Sequence, residues 1–470
     1  MKFEQKCHTL DNKIRELKQA KGLCFVLCDK FWDALRNSIH IIPNIAPDII
    51  VSERWGRNVH SWCFILERNS GIIGDRHYLG WKQLNSEISR LVGNRRLKFF
   101  SWIPREELGS PSNFLCTDNS TRYYVEDKTN LKFILSQAWI DADVFTLKHN
   151  IFASKEDIPD FATIVDAYGL PFVVQWWSKW WDGTIIVRDS NDFNKINKLV
   201  GKIRISEFCD KQYGSIYACI MPPDQNSPTV WVIMDRPAFK VVGVSSHGIR
   251  DVFWWGCNWW QMPDIDLEET RLNVTKIWLY LWNSFWYTWS LVLEWFFIEG
   301  RFVFNEINAR LWWGNEVSGF NQILNEQIPI QAIHYALKLW IPCSNLINKS
   351  EFHERHFDES SRGCFYFKLL WKEGREFRVW TLSDWPHSFD QGRLVWIEGH
   401  NILPTQTSIK DWHIYISNLP RSSTLCSKDA HICMIEGVSD WKNVLVPSPT
   451  QVSWLILQIS NLVYNNLVYA

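Results

Sequence analysis

The fold of this chain is decided by residues 293–310, LEWFFIEGRFVFNEINAR. The pattern predicts two adjacent strands, over residues 290–297 and 301–307, that are joined by a tight turn. In such a hairpin Glu294 and Glu306 can meet at one end of the sheet. The segment therefore places two carboxylates within reach of one ligand.

Two further polar residues extend this pattern. Asn308 and Arg310 follow Glu306 at intervals of two residues, so strand alternation points all three to one face. Two carboxylates and an amide oxygen suit Mg²⁺, which takes oxygen ligands and is usually shared with substrate phosphates. Arg310 could stabilise the charge of a phosphoryl group. Alternating polar residues also mark the solvated face of an ordinary strand, and spacing alone leaves both interpretations open.

Four upstream segments help to decide between a metal site and an ordinary solvated strand. They are Asp127-Lys128 with Ala138-Trp139-Ile140, Leu170-Pro171-Phe172-Val173-Val174-Gln175 with Gly183-Thr184, Ile205-Ser206-Glu207-Phe208-Cys209, and Asn283-Ser284-Phe285-Trp286-Tyr287-Thr288-Trp289. Together with residues 293–310 they resemble, in the right order, the ATP-grasp superfamily over about residues 120–320. The resembling features are the opening D-K…A-G-[IV] segment, the strands around the phosphate-covering flap, the adenine-binding hinge, and the G-Y-x-G that precedes the first acid.

The resemblance implies an α/β and α+β multidomain protein with the ATP-grasp fold. We expect a Rossmann-like pre-ATP-grasp domain over residues 1–120, because strand-like runs there alternate with helical patterns. The core of two α+β subdomains is expected over 121–320. A C-terminal extension, first helical and then β-rich, is expected over 321–470. The first domain lacks a GxGxxG motif, so it need not bind a nucleotide itself.

The resemblance also assigns roles to the acidic hairpin. Glu294, Glu306 and Asn308 would hold Mg²⁺ or Mn²⁺ between the β- and γ-phosphates of ATP. Arg310 would stabilise the transferring group, and Lys240 could reach the acyl-phosphate site.

The nucleotide itself would be bound by residues of the upstream motifs. Lys128 and Lys179 would neutralise the phosphates, and the backbone of the loop that contains Ser178 and Gly183 would surround them. Three further positions line the expected nucleotide site, namely Gln175, Glu207 and Cys209. Gln175 departs from the lysine often found at that strand end, while Glu207 and Cys209 would act through their main chain. Cys209 is not expected to be a nucleophile, because no base is indicated beside it.

The function implied is that of an ATP- and Mg²⁺-dependent ligase, in which an amine attacks a carboxylate that has been activated as an acyl phosphate. Two alternatives are a carboxylase built on the same core and a non-catalytic nucleotide-binding or Trp-rich interaction protein. The expected partners are a small-molecule carboxylate and an amine, and a homo-oligomer is possible.

Charge, hydropathy and cysteine spacing argue against a nucleic-acid-binding protein, a membrane-spanning protein and a zinc protein. Fifty basic residues balance 51 acidic ones without a long basic run, so nucleic acid is not an expected partner. The apolar stretch Ile277 to Ile298 contains several polar residues, so no membrane span is expected. Cysteines without metal-type spacing favour a cytoplasmic protein with reduced thiols.

Tryptophan is abnormally frequent in this chain, with 30 Trp against 22 Gly. Several tryptophans occupy expected glycine positions of the motifs, namely Trp139, Trp176, Trp177, Trp180, Trp181, Trp286 and Trp289. Phosphate loops need glycine because the backbone approaches the ligand closely and adopts positive φ. Our hypothesis is that many of these residues are glycine in the source organism, for instance through a UGA codon read under the wrong genetic code. With tryptophan in place we expect little or no ATP binding.

Overall fold

The structure of the chain is a computed structural model. The structure describes residues 1–28, 38–39, 41–52, 64–67, 72–73, 81–101, 104–176, 184–211, 213–235, 238–245, 248–258, 267–310, 315–347, 363–370, 376–379, 386–390, 393–396, 413–417, 425–426, 431–439, 454–465 and 467–469.

The first sheet is parallel and consists of β1 (Leu23–Cys28), β2 (Ile49–Ser52), β3 (Phe64–Glu67) and β5 (Arg96–Phe100), in the order β3-β2-β1-β5. Every residue of β1 is buried, as its apolar sequence requires. The helices Phe3–Ala20 and Trp81–Val92 belong to the same region. The predicted Rossmann-like arrangement is therefore confirmed, and β2 is a strand that the sequence pattern did not reveal.

The second sheet is antiparallel, with the order β6-β9-β7-β8. Its strands are β6 (His149–Phe152), β7 (Phe172–Trp176), β8 (Thr184–Val187) and β9 (Ile203–Glu207). One face packs into an apolar core that includes Val174, Ile203 and Ile205. The alternation of the strands therefore places Gln175 and Arg204 on the opposite face.

The largest sheet in the described part of the chain has 11 strands, and nearly all of its pairings are antiparallel. Its first strands are β10 (Tyr213–Met221), β11 (Trp231–Met234), β12 (Ala238–Ser245), β13 (Gly248–Asn258), β14 (Ser290–Ile298) and β15 (Arg301–Asn308). Strands from the C-terminal region continue it, namely β16 (Gly363–Leu370), β18 (Pro386–Asp390), β19 (Arg393–Trp396), β20 (His413–Ser417) and β22 (His431–Ser439). The acidic hairpin thus lies at one end of a long sheet.

The remaining elements connect or cover these sheets. A small sheet joins β4 (Ile72–Ile73), β17 (Phe377–Val379), β21 (Leu425–Cys426) and β23 (Leu467–Tyr469). The described residues also include the α-helices Asn119–Glu126, Leu131–Gln137, Ala142–Phe145, Phe161–Tyr168, Ser190–Asn194, Leu267–Phe285, Asn315–Leu324, Ile330–Lys338 and Trp454–Tyr464. No helix among the described residues is long and apolar enough to cross a bilayer. The mixed α/β and α+β class expected from the sequence is confirmed.

Three tryptophans adopt the left-handed backbone conformation at helix ends. Trp139, Trp286 and Trp340 have φ angles of 57°, 52° and 63°, and their exposed fractions are 89%, 76% and 85%. Glycine is the usual residue at such positions, because a Cβ atom is strained there. Two of them belong to the motif-based glycine hypothesis, and Trp340 is a third case that the motifs did not indicate.

Candidate active site

The two acids of the hairpin face each other directly across β14 and β15. Glu294 and Glu306 are register partners in this antiparallel pair. Asn308 follows on β15 and donates from Nδ2 to Glu306 Oε1 at 3.1 Å. Glu294 and Asn308 are buried, with 4% and 5% of their surface exposed. The structure therefore brings the three predicted metal-binding side chains together.

The acid pair is electrostatically asymmetric. Burial and the nearby charge of Glu306 raise the pKa of Glu294 well above its ordinary value. Burial also acts to raise the pKa of Glu306, but Lys128 and hydrogen bonds outweigh it, and that pKa is lowered. The Tyr213 hydroxyl donates to Glu294 Oε2. In this arrangement Glu306 carries the negative charge, and the pair resists a second one.

Lys128 supplies the positive charge beside Glu306. Its Nζ lies 2.7 Å from Glu306 Oε2. The lysine begins a 3₁₀ turn, Lys128–Asn130, which Asp127 caps by accepting the Thr129 N–H at 2.9 Å. This capping hydrogen bond stabilises the turn and so fixes the backbone position from which the Lys128 side chain extends. Lys128, which the sequence indicated as a phosphate ligand, thus reaches the proposed metal site.

Arg310 joins the same cluster through Asn308 and Glu126. Its Nη2 donates to Asn308 Oδ1 at 2.9 Å, and its Nε lies 3.1 Å from Glu126 Oε1. Glu126 also pairs with Arg122 at 3.2 Å. Sequence reasoning missed Glu126, although its position directly before Asp127-Lys128 was an available signal.

A second missed residue, Arg204, lies opposite Gln175. Arg204 is fully buried, and its Nη1 donates to the Asn305 carbonyl oxygen at 3.0 Å and to Gln175 Oε1 at 3.4 Å. Gln175 Nε2 in turn donates to Thr184 Oγ1 at 3.4 Å. The contact with Asn305 links the second sheet to β15. The signal in the sequence was a charged residue between two apolar ones, Ile203 and Ile205.

The expected hinge lies where β9 ends and β10 begins. Glu207 is tied on both sides to Lys148, whose carbonyl accepts the Glu207 N–H at 3.1 Å and whose N–H donates to Glu207 Oε1 at 2.9 Å. Burial raises the pKa of the Cys209 thiol, which disfavours the reactive thiolate. The connection between the two sheets thus passes through the predicted segment.

Four of the predicted site residues lie wholly or partly outside the described structure. Ser178, Lys179 and Gly183 lie outside the described residues. Lys240 lies in β12, and its backbone pairs with that of Tyr213, the residue that bonds to Glu294. The side chain of Lys240 lies outside the described part of the structure.

The donor set fits a hard divalent cation better than a transition metal. Among the described residues no group of three His, Cys, Asp or Glu side chains is placed to hold a metal ion. Two carboxylates and an amide oxygen leave coordination positions for water and substrate oxygens, as Mg²⁺ sites commonly do. Burial is the main cause of the raised pKa of Glu294 and the charge of Glu306 adds to it; a bound cation would counteract both effects.

Comparison with known proteins gives similarity in structure alone. No protein-family model matches the chain, and no curated protein matches it significantly in sequence. A phosphoribosylamine–glycine ligase from Thermotoga maritima superposes with a TM-score of 0.55 at 11% identity, covering 95% of this chain and 97% of that chain.

Two further solved structures are similar over most of their length. An L-amino acid ligase from Bacillus licheniformis gives a TM-score of 0.53 at 13% identity, with 95% of this chain and 98% of that chain covered. The biotin carboxylase domain of Hydrogenobacter thermophilus 2-oxoglutarate carboxylase, solved with MgADP and bicarbonate, gives 0.54 at 11%, with 88% and 85% covered. At these identities the likeness establishes the fold.

Proposed function

The chain has the ATP-grasp fold, and from that premise we propose that it is an ATP- and Mg²⁺-dependent ligase that joins a carboxylate to an amine. The observation that carries the proposal is the cluster in which Glu294, Glu306 and Asn308 meet Lys128 and Arg310. Acidic, amide and basic groups converge there as phosphoryl transfer requires.

The reaction has two steps. A carboxylate oxygen of the substrate attacks the γ-phosphorus of ATP, the bond to the bridging oxygen breaks, and ADP leaves. The amine nitrogen then attacks the acyl carbon of the acyl phosphate, inorganic phosphate leaves, and the nitrogen loses a proton. Catalysis consists mainly of positioning and of stabilising charge, since the protein itself forms no covalent bond.

The residues of the cluster have different proposed roles in these two steps. Glu294, Glu306 and Asn308 would hold Mg²⁺, which when bound supplies positive charge to the β- and γ-phosphates. Arg310, kept in place by Glu126 and Asn308, would stabilise the transferring phosphoryl group. Lys128 would exchange its contact with Glu306 for one with a phosphate.

The test is release of ADP and phosphate from ATP and Mg²⁺ in the presence of mixed carboxylates and amines, with the product identified by mass spectrometry. Both the tryptophan chain and a glycine form should be used. In the glycine form Gly replaces the motif tryptophans, namely Trp139, Trp176, Trp177, Trp180, Trp181, Trp286 and Trp289. Amine-dependent release that disappears in Glu306→Ala supports the proposal. ADP release that requires bicarbonate and no amine indicates a carboxylase, and failure of both forms to bind MgATP overturns the proposal.

A further inference from the structure

Arg204 is a buried cation that forms no ion pair with any carboxylate in the described part of the chain. It occupies the middle of β9 with none of its surface exposed. Its hydrogen-bond acceptors are neutral, namely the Asn305 carbonyl, the Asn305 side-chain oxygen and Gln175 Oε1. Among the described residues no carboxylate lies within ion-pair distance of it. An unneutralised buried charge is costly, so such a residue needs a functional reason.

One edge of the Arg204 guanidinium is anchored and the other is not. Nη1 makes all of the hydrogen bonds, whereas Nε and Nη2 are buried and have no partner among the described residues. The N–H groups of Nε and Nη2 lie side by side and form the planar fork that binds two oxygens of a phosphate or a carboxylate. The arrangement therefore presents a fixed, unsatisfied pair of donors.

The position of this fork points to the nucleotide. Arg204 contacts Asn305, which directly precedes the acid Glu306 on β15. It also faces away from the apolar core of its own sheet, which contains Ile203 and Ile205. The fork thus lies between the second sheet and the strand that bears the acid cluster.

The same position explains the glutamine at the end of β7. Gln175 and Arg204 are register partners on neighbouring strands, and their side chains are in contact. A lysine at position 175 would bring its charge to this place. Here the neighbouring strand supplies the charge instead, and Gln175 helps to orient the arginine.

We propose that Arg204 binds a phosphate group of the nucleotide through its Nε and Nη2 edge and replaces the lysine that position 175 lacks. This inference rests on the proposed function, because the phosphate is taken to belong to ATP or ADP. The guanidinium remains positively charged at neutral pH: burial lowers its pKa to about 10, and Glu306 acts to raise it. The charge is therefore available to the ligand.

The experiment compares Arg204→Met with its parent in the glycine form. Dissociation constants for ADP, adenosine and inorganic tripolyphosphate are measured by calorimetry. We expect ADP and tripolyphosphate to bind at least about tenfold more weakly to Arg204→Met, and adenosine to bind equally well. Arg204→Lys should lie between, because it keeps the charge and loses the fork. Adding Gln175→Lys to Arg204→Met should recover most of the ADP affinity.

Two controls separate this inference from trivial effects. Arg188→Met makes the same substitution at an exposed arginine that follows β8 and should leave ADP binding unchanged. Thermal unfolding of Arg204→Met should stay close to that of the parent, since an apolar isostere of a buried charge is often tolerated.

The outcomes also distinguish the two proposals. If the parent binds ADP and Arg204→Met binds it equally well, the inference fails and the proposed function stands. Equal weakening of adenosine and ADP would assign Arg204 a structural role and would also overturn the inference. A parent that binds tripolyphosphate through Arg204 without binding ADP refutes the proposed function alone, and a parent that binds neither ligand refutes both.

Discussion

The Nζ of Lys128 lies 2.7 Å from Oε2 of Glu306, and this ion pair connects the turn after helix Asn119–Glu126 to strand β15. It is the interaction that lets one acid of the pair stay charged while the pKa of Glu294 rises. In the free protein Lys128 neutralises the Glu306 carboxylate, as a divalent cation would do if it were bound at this site. The site is therefore preorganised around a positive charge.

The first prediction concerns the exchange of lysine for metal. Lys128→Met removes the cation beside Glu306, so we expect the free energy of unfolding to fall by about 1–3 kcal/mol without metal. Mg²⁺ should restore part of this loss, because it takes over the neutralisation of Glu306. The measurement is thermal unfolding of parent and variant with and without Mg²⁺.

The matched control for this prediction is Lys132→Met. Lys132 forms an ion pair with Asp143 at 2.6 Å, but Asp143 is largely exposed. Exposed pairs contribute little, so stability should change by less than about 1 kcal/mol and the Mg²⁺ effect should match that of the parent. An Mg²⁺-induced shift that is the same in Lys128→Met and in the parent would contradict the exchange.

The acid hairpin was predictable from sequence in outline because its geometry is local. The short turn pairs Ile298 with Arg301, a register that by itself would place Glu294 opposite Asn305. A β-bulge at Asn305 shifts the register by one residue and makes Glu294 the partner of Glu306, and the sequence pattern did not indicate this bulge. The alternation that places Asn308 near Glu306 is local. In the first sheet, β1 (Leu23–Cys28) is one of the strand-like runs expected over residues 1–120, and its sequence is apolar throughout.

The residues that sequence reasoning missed depend on contacts between distant segments. Arg204 meets Asn305, and Glu126 meets Arg310, across elements that no local pattern connects. Local capping patterns are also ambiguous: Ser154 makes a capping interaction with Asp157, but this interaction closes a 3₁₀ turn, and the next helix begins only at Phe161. A capping pattern identifies a turn and does not determine its length.

The second prediction is a pH dependence of metal binding. Because the pKa of Glu294 is raised, a proton competes with the cation below that pKa. The affinity for Mg²⁺ should therefore increase as the pH rises, by at most about tenfold per unit, and level off once Glu294 is ionised. Calorimetry at several pH values in two buffers of different ionisation enthalpy measures affinity and proton release together. In Glu294→Gln the proton release should vanish, and its persistence would assign the proton to another group.

The third prediction concerns acid stability. His334 is buried, with hydrogen bonds at 2.9 Å to Ser290 Oγ and at 3.2 Å to the Leu115 carbonyl oxygen. Burial, with a smaller effect of Lys338, lowers its pKa to about 3. The unfolded chain takes up this proton near pH 6.5, so the stabilisation is complete above that pH. It is lost at about 1.4 kcal/mol per unit as the pH falls towards the folded pKa.

Urea unfolding of His334→Gln and the parent at pH 7 and pH 5 tests this sign. Glutamine can keep hydrogen bonds to Ser290 and Leu115 but takes up no proton. The variant should be less stable than the parent at pH 7, and the difference should narrow by about 2 kcal/mol at pH 5. A difference that is constant with pH would show that His334 does not determine the acid response.

The last prediction concerns the exposed tryptophans with positive φ. Trp139→Gly, Trp286→Gly and Trp340→Gly should each stabilise the chain by about 1 kcal/mol, because glycine relieves the strain of the left-handed conformation. Little apolar burial is lost, since these indoles are largely exposed. Around Trp139 and Trp340 the helix-closing hydrogen bonds, Ile140 N to Leu135 O at 3.0 Å and Ile341 N to Ala336 O at 2.8 Å, should persist.

Alanine and a buried tryptophan provide the controls for this effect. Alanine retains Cβ, so Trp340→Ala should give none of the gain, whereas Trp278→Gly should destabilise strongly because Trp278 is fully buried. If glycine and alanine behave alike at position 340, backbone strain is not the cause. The intact mass of the protein purified from its source organism then tests whether these positions are tryptophan or glycine in that organism. A mass that matches 30 tryptophans would refute the glycine hypothesis, and a lower mass that fits Trp-to-Gly replacement would support it.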